Sequence, residues 1–150
     1  AYEMGLAGVV LSNHGGRQLD FARSGVEVLE EVMRELRKRG SFPNPAFQVM
    51  VDGGFRRGTD ILKALAMGAT AVGIGRPFLY AYSAYGVDGV IHAINLLRDE
   101  LEMNMRLIGA RSIEELVPSM VDLSALHNHT GAVFPKQDQS VLDFMEKSRL

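Results

Sequence analysis

Three short apolar runs, each ended by glycine beside a polar or charged residue, set the limits on what this chain can fold into. Gly8-Val9-Val10-Leu11 opens into Ser12-Asn13-His14-Gly15-Gly16-Arg17-Gln18-Leu19-Asp20, and Phe47-Gln48-Val49-Met50-Val51 opens into Asp52-Gly53-Gly54. Ala71-Val72-Gly73-Ile74 leads into Gly75-Arg76-Pro77 in the same way. Runs this rich in β-branched and aliphatic residues read as strands buried in a parallel sheet, whose carboxyl ends then share one polar rim.

Between the runs lie helical patterns. Ser24 stands as a cap, and Val26, Leu29, Val32, Met33 and Leu36 recur at three- and four-residue spacing. They form one apolar stripe, opposite a face of Glu30, Glu31, Arg34, Glu35 and Arg37 that is expected to be solvated. Thr59 and Asp60 are placed to cap a second helix through Ile61–Met67, which Gly68 stops. Pro77 suits the first turn of a third helix over 78–85. A long amphipathic helix follows from Val87 to Ile108, with Val90, Ile91, Ile94, Leu97, Leu101, Met105 and Ile108 on one face. Ser112 and Glu115 have capping-box spacing for a further short helix that Pro118 ends. The alternation of strand and helix predicts right-handed βαβ units and a parallel sheet. Three strands cannot close a barrel, and a (β/α)8 barrel takes about 250 residues, so the chain is either a small open sheet or the carboxyl end of a barrel. Residues 1–121 form the folded unit in this reading and 122–150 a polar tail.

A net charge of −2, with both signs scattered along the helices, provides no basic stripe for nucleic acid and no polybasic patch for a membrane surface. There is no cysteine, hence no disulfide framework or thiolate metal site, which fits an intracellular compartment. No apolar run is long enough to span a bilayer.

The polar rim carries the chemistry. His14 can take a proton near neutral pH, and Arg17, three residues on, can hold a carboxylate through two parallel hydrogen bonds. The loops after the last two strands offer Gly53, Gly54, Arg56, Gly75 and Arg76 beside a helix start. Glycine amides, a helix amino terminus and guanidinium groups together suit a phosphate dianion. Asp52 is an acceptor and suits neighbouring hydroxyls rather than the phosphate. A histidine after a strand is on its own an ordinary loop residue; the phosphate loops beside it give it meaning. His92, His127 and His129 have no such setting and are read as surface residues. Tyr80, Tyr82 and Tyr85 are expected to pack under the rim, and the methionines to fill the core.

Ser12–Asp20, Asp52-Gly53-Gly54-Phe55-Arg56-Arg57-Gly58-Thr59-Asp60-Ile61-Leu62-Lys63-Ala64-Leu65 and Gly75-Arg76-Pro77 resemble the FMN-dependent α-hydroxy acid dehydrogenase/oxidase family. Glycolate oxidase and the flavin domain of flavocytochrome b2 are among its members. Phe78-Leu79-Tyr80-Ala81, Arg98-Asp99-Glu100-Leu101-Glu102-Met103 and Val121-Asp122-Leu123-Ser124 are most similar to the flavocytochrome b2 branch. The resemblance implies an α/β fold forming about three βα units from the carboxyl-terminal part of a (β/α)8 TIM barrel, a fragment of a longer enzyme. It implies oxidation of a small L-2-hydroxy acid of the lactate or glycolate type to the 2-oxo acid, with FMN as cofactor. His14 would be the catalytic base, and His14 with Arg17 would bind the substrate. Ser12, Asp52, Gly53, Gly54, Phe55, Arg56, Gly75 and Arg76 would bind the cofactor. Molecular oxygen or cytochrome c would accept the electrons, and a tetramer is the family's common assembly.

Family members supply a flavin-ring lysine, the aspartate that orients the histidine and the substrate tyrosines from strands that precede this segment, so the isolated 150 residues are expected to be inactive. Two other readings fit the same loops: another FMN barrel such as a type 2 isopentenyl-diphosphate isomerase, and a truncated module that binds without chemistry. Ser148-Arg149-Leu150 is a variant of the Ser-Lys-Leu peroxisomal address; without it, the cytoplasm or mitochondrion is the expected compartment.

Overall fold

The computed structural model describes residues 1–126. His127, His129 and the terminal Ser148-Arg149-Leu150 lie outside them.

The apolar runs form β1 (Gly8–Leu11), β2 (Gln48–Asp52) and β3 (Ala71–Gly73), each within a residue or two of its expected bounds. They pair in parallel in the order β1-β2-β3, with Val9 opposite Val49 and Val51 opposite Val72. Strands that follow one another in space as in sequence, joined by right-handed crossovers, place their helices on one face of the sheet. Helix α1 (Gly25–Lys38) accordingly packs on β1 and β2, and also on α2 (Gly58–Met67). The core lies between that face and the helices: Leu11, Val49 and Val51 from the strands meet Leu29, Met33 and Leu36 of α1 and Ala64 and Met67 of α2.

The two faces of the sheet differ sharply. Val49 and Val51 are 2% and 1% exposed, whereas Val10, pointing the other way, is 59% exposed. An apolar residue on an uncovered face is what a barrel strand looks like when its interior side has no neighbours, since parallel strands are apolar on both sides.

Helix α1 begins where expected. The Ser24 hydroxyl accepts from the Glu27 amide and the Glu27 carboxylate accepts from the Ser24 amide at 2.7 Å, a complete capping box. The solvated face is corrected at Glu30, which is 5% exposed and pairs with Arg34 at 3.4 Å. It adjoins the buried stripe, so one turn of helix carries it inward. Arg37 likewise turns to donate to the Met67 carbonyl, and burial lowers its pKa. Helix α2 is capped two residues before the first of its expected caps: Arg57 is the N-cap, and Gly68 closes the helix at φ 114°.

The third and fourth helical patterns join as α3 (Arg76–Leu107), whose helical geometry breaks at Tyr85 and Gly86. Its apolar face is only partly covered. Met105 is buried and packs with Leu62, Ala66, Ala110 and Leu116, while Ile91 and Ile94 are exposed. The capping box expected at Ser112 does not form in that way: the Glu115 carboxylate accepts from the Arg111 amide and guanidinium instead. Two short 3-10 turns, Ile113–Glu115 and Pro118–Met120, follow.

Candidate active site

The carboxyl ends of all three strands open on one cavity of about 760 Å³. His14 and Arg17 border it from the β1 loop, Asp52, Gly53, Gly54 and Arg56 from the β2 loop, and Gly75 and Arg76 from the β3 loop. Nine of the ten residues singled out in the sequence line this space, Phe55 among them, although its side chain is buried in the core at 4% exposure. Ser12 does not; its hydroxyl accepts from the His14 amide at 3.0 Å and so braces the loop from behind.

The β1 loop turns tightly. His14, Gly15 and Gly16 have φ of 57°, 67° and 75° in succession, and the histidine is the one residue of the three for which that conformation is strained. Asn13 offsets part of the strain by accepting from the Gly16 amide at 3.1 Å through its side-chain oxygen. A longer-range tie comes from the β3 loop: Arg76 donates to the Gly15 carbonyl at 2.9 Å, so its guanidinium holds the histidine loop.

The β2 loop is built differently. Gly53 and Gly54 both take φ near 90°, a conformation open to glycine. Asp60 accepts from the amides of Arg56 and Arg57, each at 3.0 Å. Arg57 is then consumed by Glu100 of α3: its Nε donates to Oε1 at 2.8 Å and to Oε2 at 3.1 Å. Glu100 Oε2 also accepts from the Gly58 amide at 2.8 Å. The Arg57 guanidinium and the Gly58 amide hold the Glu100 carboxyl below the usual carboxylate range, and Glu100 in turn raises the pKa of Arg57. Among the described residues, the guanidinium groups of Arg17 and Arg56 have no hydrogen-bond or ion-pair partner.

Asp52 shows what the cavity is fit to hold. Its Oδ1 is buried without a hydrogen-bond partner, and a buried acceptor left so carries a desolvation penalty that a ligand hydroxyl would remove. Gly73 permits this placement, since a Cβ there would stand 2.9 Å from the Asp52 Cβ. A polyol next to a phosphate, over glycine amides and two arginines, satisfies the acceptor and the charges together.

Sequence reasoning missed several lining residues. Tyr80, expected to be packed, is 67% exposed and borders the cavity with Leu79, and Tyr82 and Tyr85 are exposed as well. Glu100 was legible only as part of a charged helix, because its partners lie more than 40 residues away in sequence.

Residues 1–123 match the FMN-dependent dehydrogenase family. The chain belongs to that family. It is 61% identical over 128 residues to L-lactate dehydrogenase (cytochrome) of Wickerhamomyces anomalus and 59% identical over 133 residues to that of Saccharomyces cerevisiae. It is 49% identical over 116 residues to glycolate oxidase 2 of Oryza sativa subsp. indica. These matches take in 85%, 89% and 77% of this chain and 22%, 22% and 30% of the respective relatives, so it spans well under half their length. Among solved structures, a flavocytochrome b2 variant with pyruvate bound superposes with a TM-score of 0.80 at 53% identity, over 95% of this chain and 36% of that one. A mandelate oxidase superposes with a TM-score of 0.68 at 42% identity, over 77% and 33%. The FMN-dependent dehydrogenase fold thus accounts for the three parallel βα units as a portion of the TIM-barrel flavin domain. Among the described residues, no helix is long and apolar enough to cross a membrane.

Proposed function

We propose that this chain forms the phosphate-binding and acid-binding part of an FMN-dependent L-2-hydroxy acid oxidoreductase acting on a lactate- or glycolate-type substrate. The observation that carries the reading is the convergence on one cavity of a histidine, two unpartnered guanidinium groups and the orphaned Asp52 Oδ1. Similarity to cytochrome-linked L-lactate dehydrogenases and to glycolate oxidases supports it.

In this reading Asp52 accepts from the ribityl hydroxyls, and the Gly53 and Gly54 segment with Arg56, Gly75 and Arg76 holds the phosphate. FMN supplies the two-electron acceptor that no protein side chain provides. Arg17 binds the substrate carboxylate in a bidentate pair and so orients the carbon that bears the hydroxyl. His14 takes the substrate proton on its imidazole and must be neutral at the outset. The strained turn exposes that ring to the cavity, and the Ser12, Asn13 and Arg76 contacts keep it there.

The test is flavin reduction by L-lactate or glycolate under anaerobic conditions in the full-length protein. His14→Gln is expected to bind FMN and to lose reduction by a factor of about 10^3 or more. Reduction at the wild-type rate would refute the role of His14, and a wild type that turns over a diphosphate but no hydroxy acid would favour an isomerase.

A further inference from the structure

The β2 loop places two arginines side by side, and an exchange of roles between them would be invisible in the sequence. Arg57 is clamped by Glu100 at 2.8 and 3.1 Å, while Arg56 borders the cavity and its guanidinium has no hydrogen-bond or ion-pair partner among the described residues. The same carboxylate takes the Gly58 amide at 2.8 Å, at the first residue of α2. Packing here is as close as a backbone allows: a Cβ on Gly58 would stand 2.4 Å from the Leu101 nitrogen and 2.6 Å from the Glu100 Cβ. Glu100 is itself held from within α3, where the Asn104 side-chain amide donates to its carbonyl at 2.7 Å.

From this geometry we infer that Glu100 is a positioning residue for the cofactor phosphate: by occupying Arg57 and the Gly58 amide it fixes the start of α2 and leaves Arg56 as the arginine of that loop facing the phosphate. Asp60 acts in concert from the first turn of α2, where its carboxylate fixes the amides of Arg56 and Arg57. Without Glu100, Arg57 is a second mobile cation at the loop, and the segment that aims Arg56 loses its hydrogen bonds to α3. The assignment rests on the flavin reading and extends it to a residue outside the cavity.

A residue that merely stapled α2 to α3 would affect every ligand of the fold alike. One that aims Arg56 affects the phosphate selectively. Riboflavin shares the ring and the ribityl chain of FMN and lacks the phosphate, so the ratio of the two dissociation constants reads the phosphate contribution alone. Both are measured by flavin fluorescence on the full chain, for wild type and for Glu100→Gln. The expected result is a rise of roughly tenfold in the constant for FMN with riboflavin unchanged within about twofold. Equal weakening of both flavins, or no change in either, overturns the assignment. Should Glu100→Gln fail to fold, Arg57→Lys keeps the charge on an exposed side chain and breaks the two-pronged contact. It is expected to move the ratio by roughly threefold, and an unmoved ratio overturns the assignment equally. A wild type that binds neither flavin refutes the flavin reading itself and this assignment with it; one that binds FMN while the variants keep its ratio refutes this assignment alone.

Discussion

The two sides of the cavity are held in place by different means. The β2 loop has a tertiary anchor as well as a local one: Asp60 fixes the Arg56 and Arg57 amides from within α2, while Glu100 of α3 fixes the Gly58 amide and α2 lies backbone against backbone on α3. The β1 loop is anchored almost entirely by itself, through Ser12 and Asn13 within a strained turn, with Arg76 as its link to the rest of the rim. Interactions spanning 42 residues resist local opening far better than those spanning two or three, because they are lost only when whole elements separate. The side proposed to bind cofactor is therefore the fixed one. The side proposed to carry proton transfer is the adjustable one, and its position depends on an arginine of the β3 loop.

The largest expected effect breaks the fixed side. Gly58→Ala puts a methyl group 2.4 Å from the Leu101 nitrogen, and a clash with backbone cannot be relieved by a rotamer change. The variant should lose about 3 kcal/mol of stability, read as a lowered melting temperature and a weakened affinity for FMN and riboflavin together. A stability equal to wild type would show that α2 and α3 can slide apart at little cost.

Smaller, and sharper for the comparison, is Arg76→Met against Arg56→Met. Both should weaken FMN binding. At saturating FMN, Arg76→Met should also lower kcat by roughly tenfold, because the Gly15 carbonyl loses its donor and His14 loses its alignment. Arg56→Met should leave kcat within about twofold of wild type at the same saturation, as its guanidinium makes no hydrogen bond to the β1 loop among the described residues. Equal kcat values for the two would mean that the histidine turn stands without its link to the β3 loop.

Legibility in the sequence followed the range of the interactions. β1 and β2 were readable because a run such as Val9-Val10-Leu11 is apolar on both faces and ends in a polar loop with glycines, and α1 because Ser24 stands before an apolar stripe that recurs at three- and four-residue spacing. Most of the rim was readable for the same reason, since each loop carries its own glycines and charges. Glu30 was misread because helical periodicity locates a stripe to within one residue on either side, and this glutamate sits on its border. Tyr80, Tyr82 and Tyr85 were expected to pack under the rim because a flavin was expected on the other side of its loops; the break at Tyr85 and Gly86 falls between the two expected helices, but the direction a side chain takes beside it requires the fold. The division of labour between Arg56 and Arg57 required the fold, because the residue that decides it stands on another helix.

The smallest expected effect is electrostatic. Glu100 has a lowered pKa, first through Arg57 and then through the Gly58 amide, so its ionised form is favoured in the folded chain. A carboxyl whose folded value is depressed contributes stability that is fully present above its unfolded value, near 4.5 here, and is lost as pH falls through the lower folded value. The stability difference between wild type and Glu100→Gln should therefore be constant near neutrality, shrink as pH falls below the ordinary carboxylate range, and vanish once the group is protonated in both states. Because the Glu100 side chain retains 33% of its exposure and Arg57 70%, water and salt screen the pair, and the difference should also shrink when salt is raised at neutral pH. Paired denaturation curves across pH read this directly. A difference that persisted at acid pH would assign the role of Glu100 to packing and hydrogen-bond shape rather than to charge, and would move it from the electrostatic account of the fixed side to the steric one that Gly58 already represents.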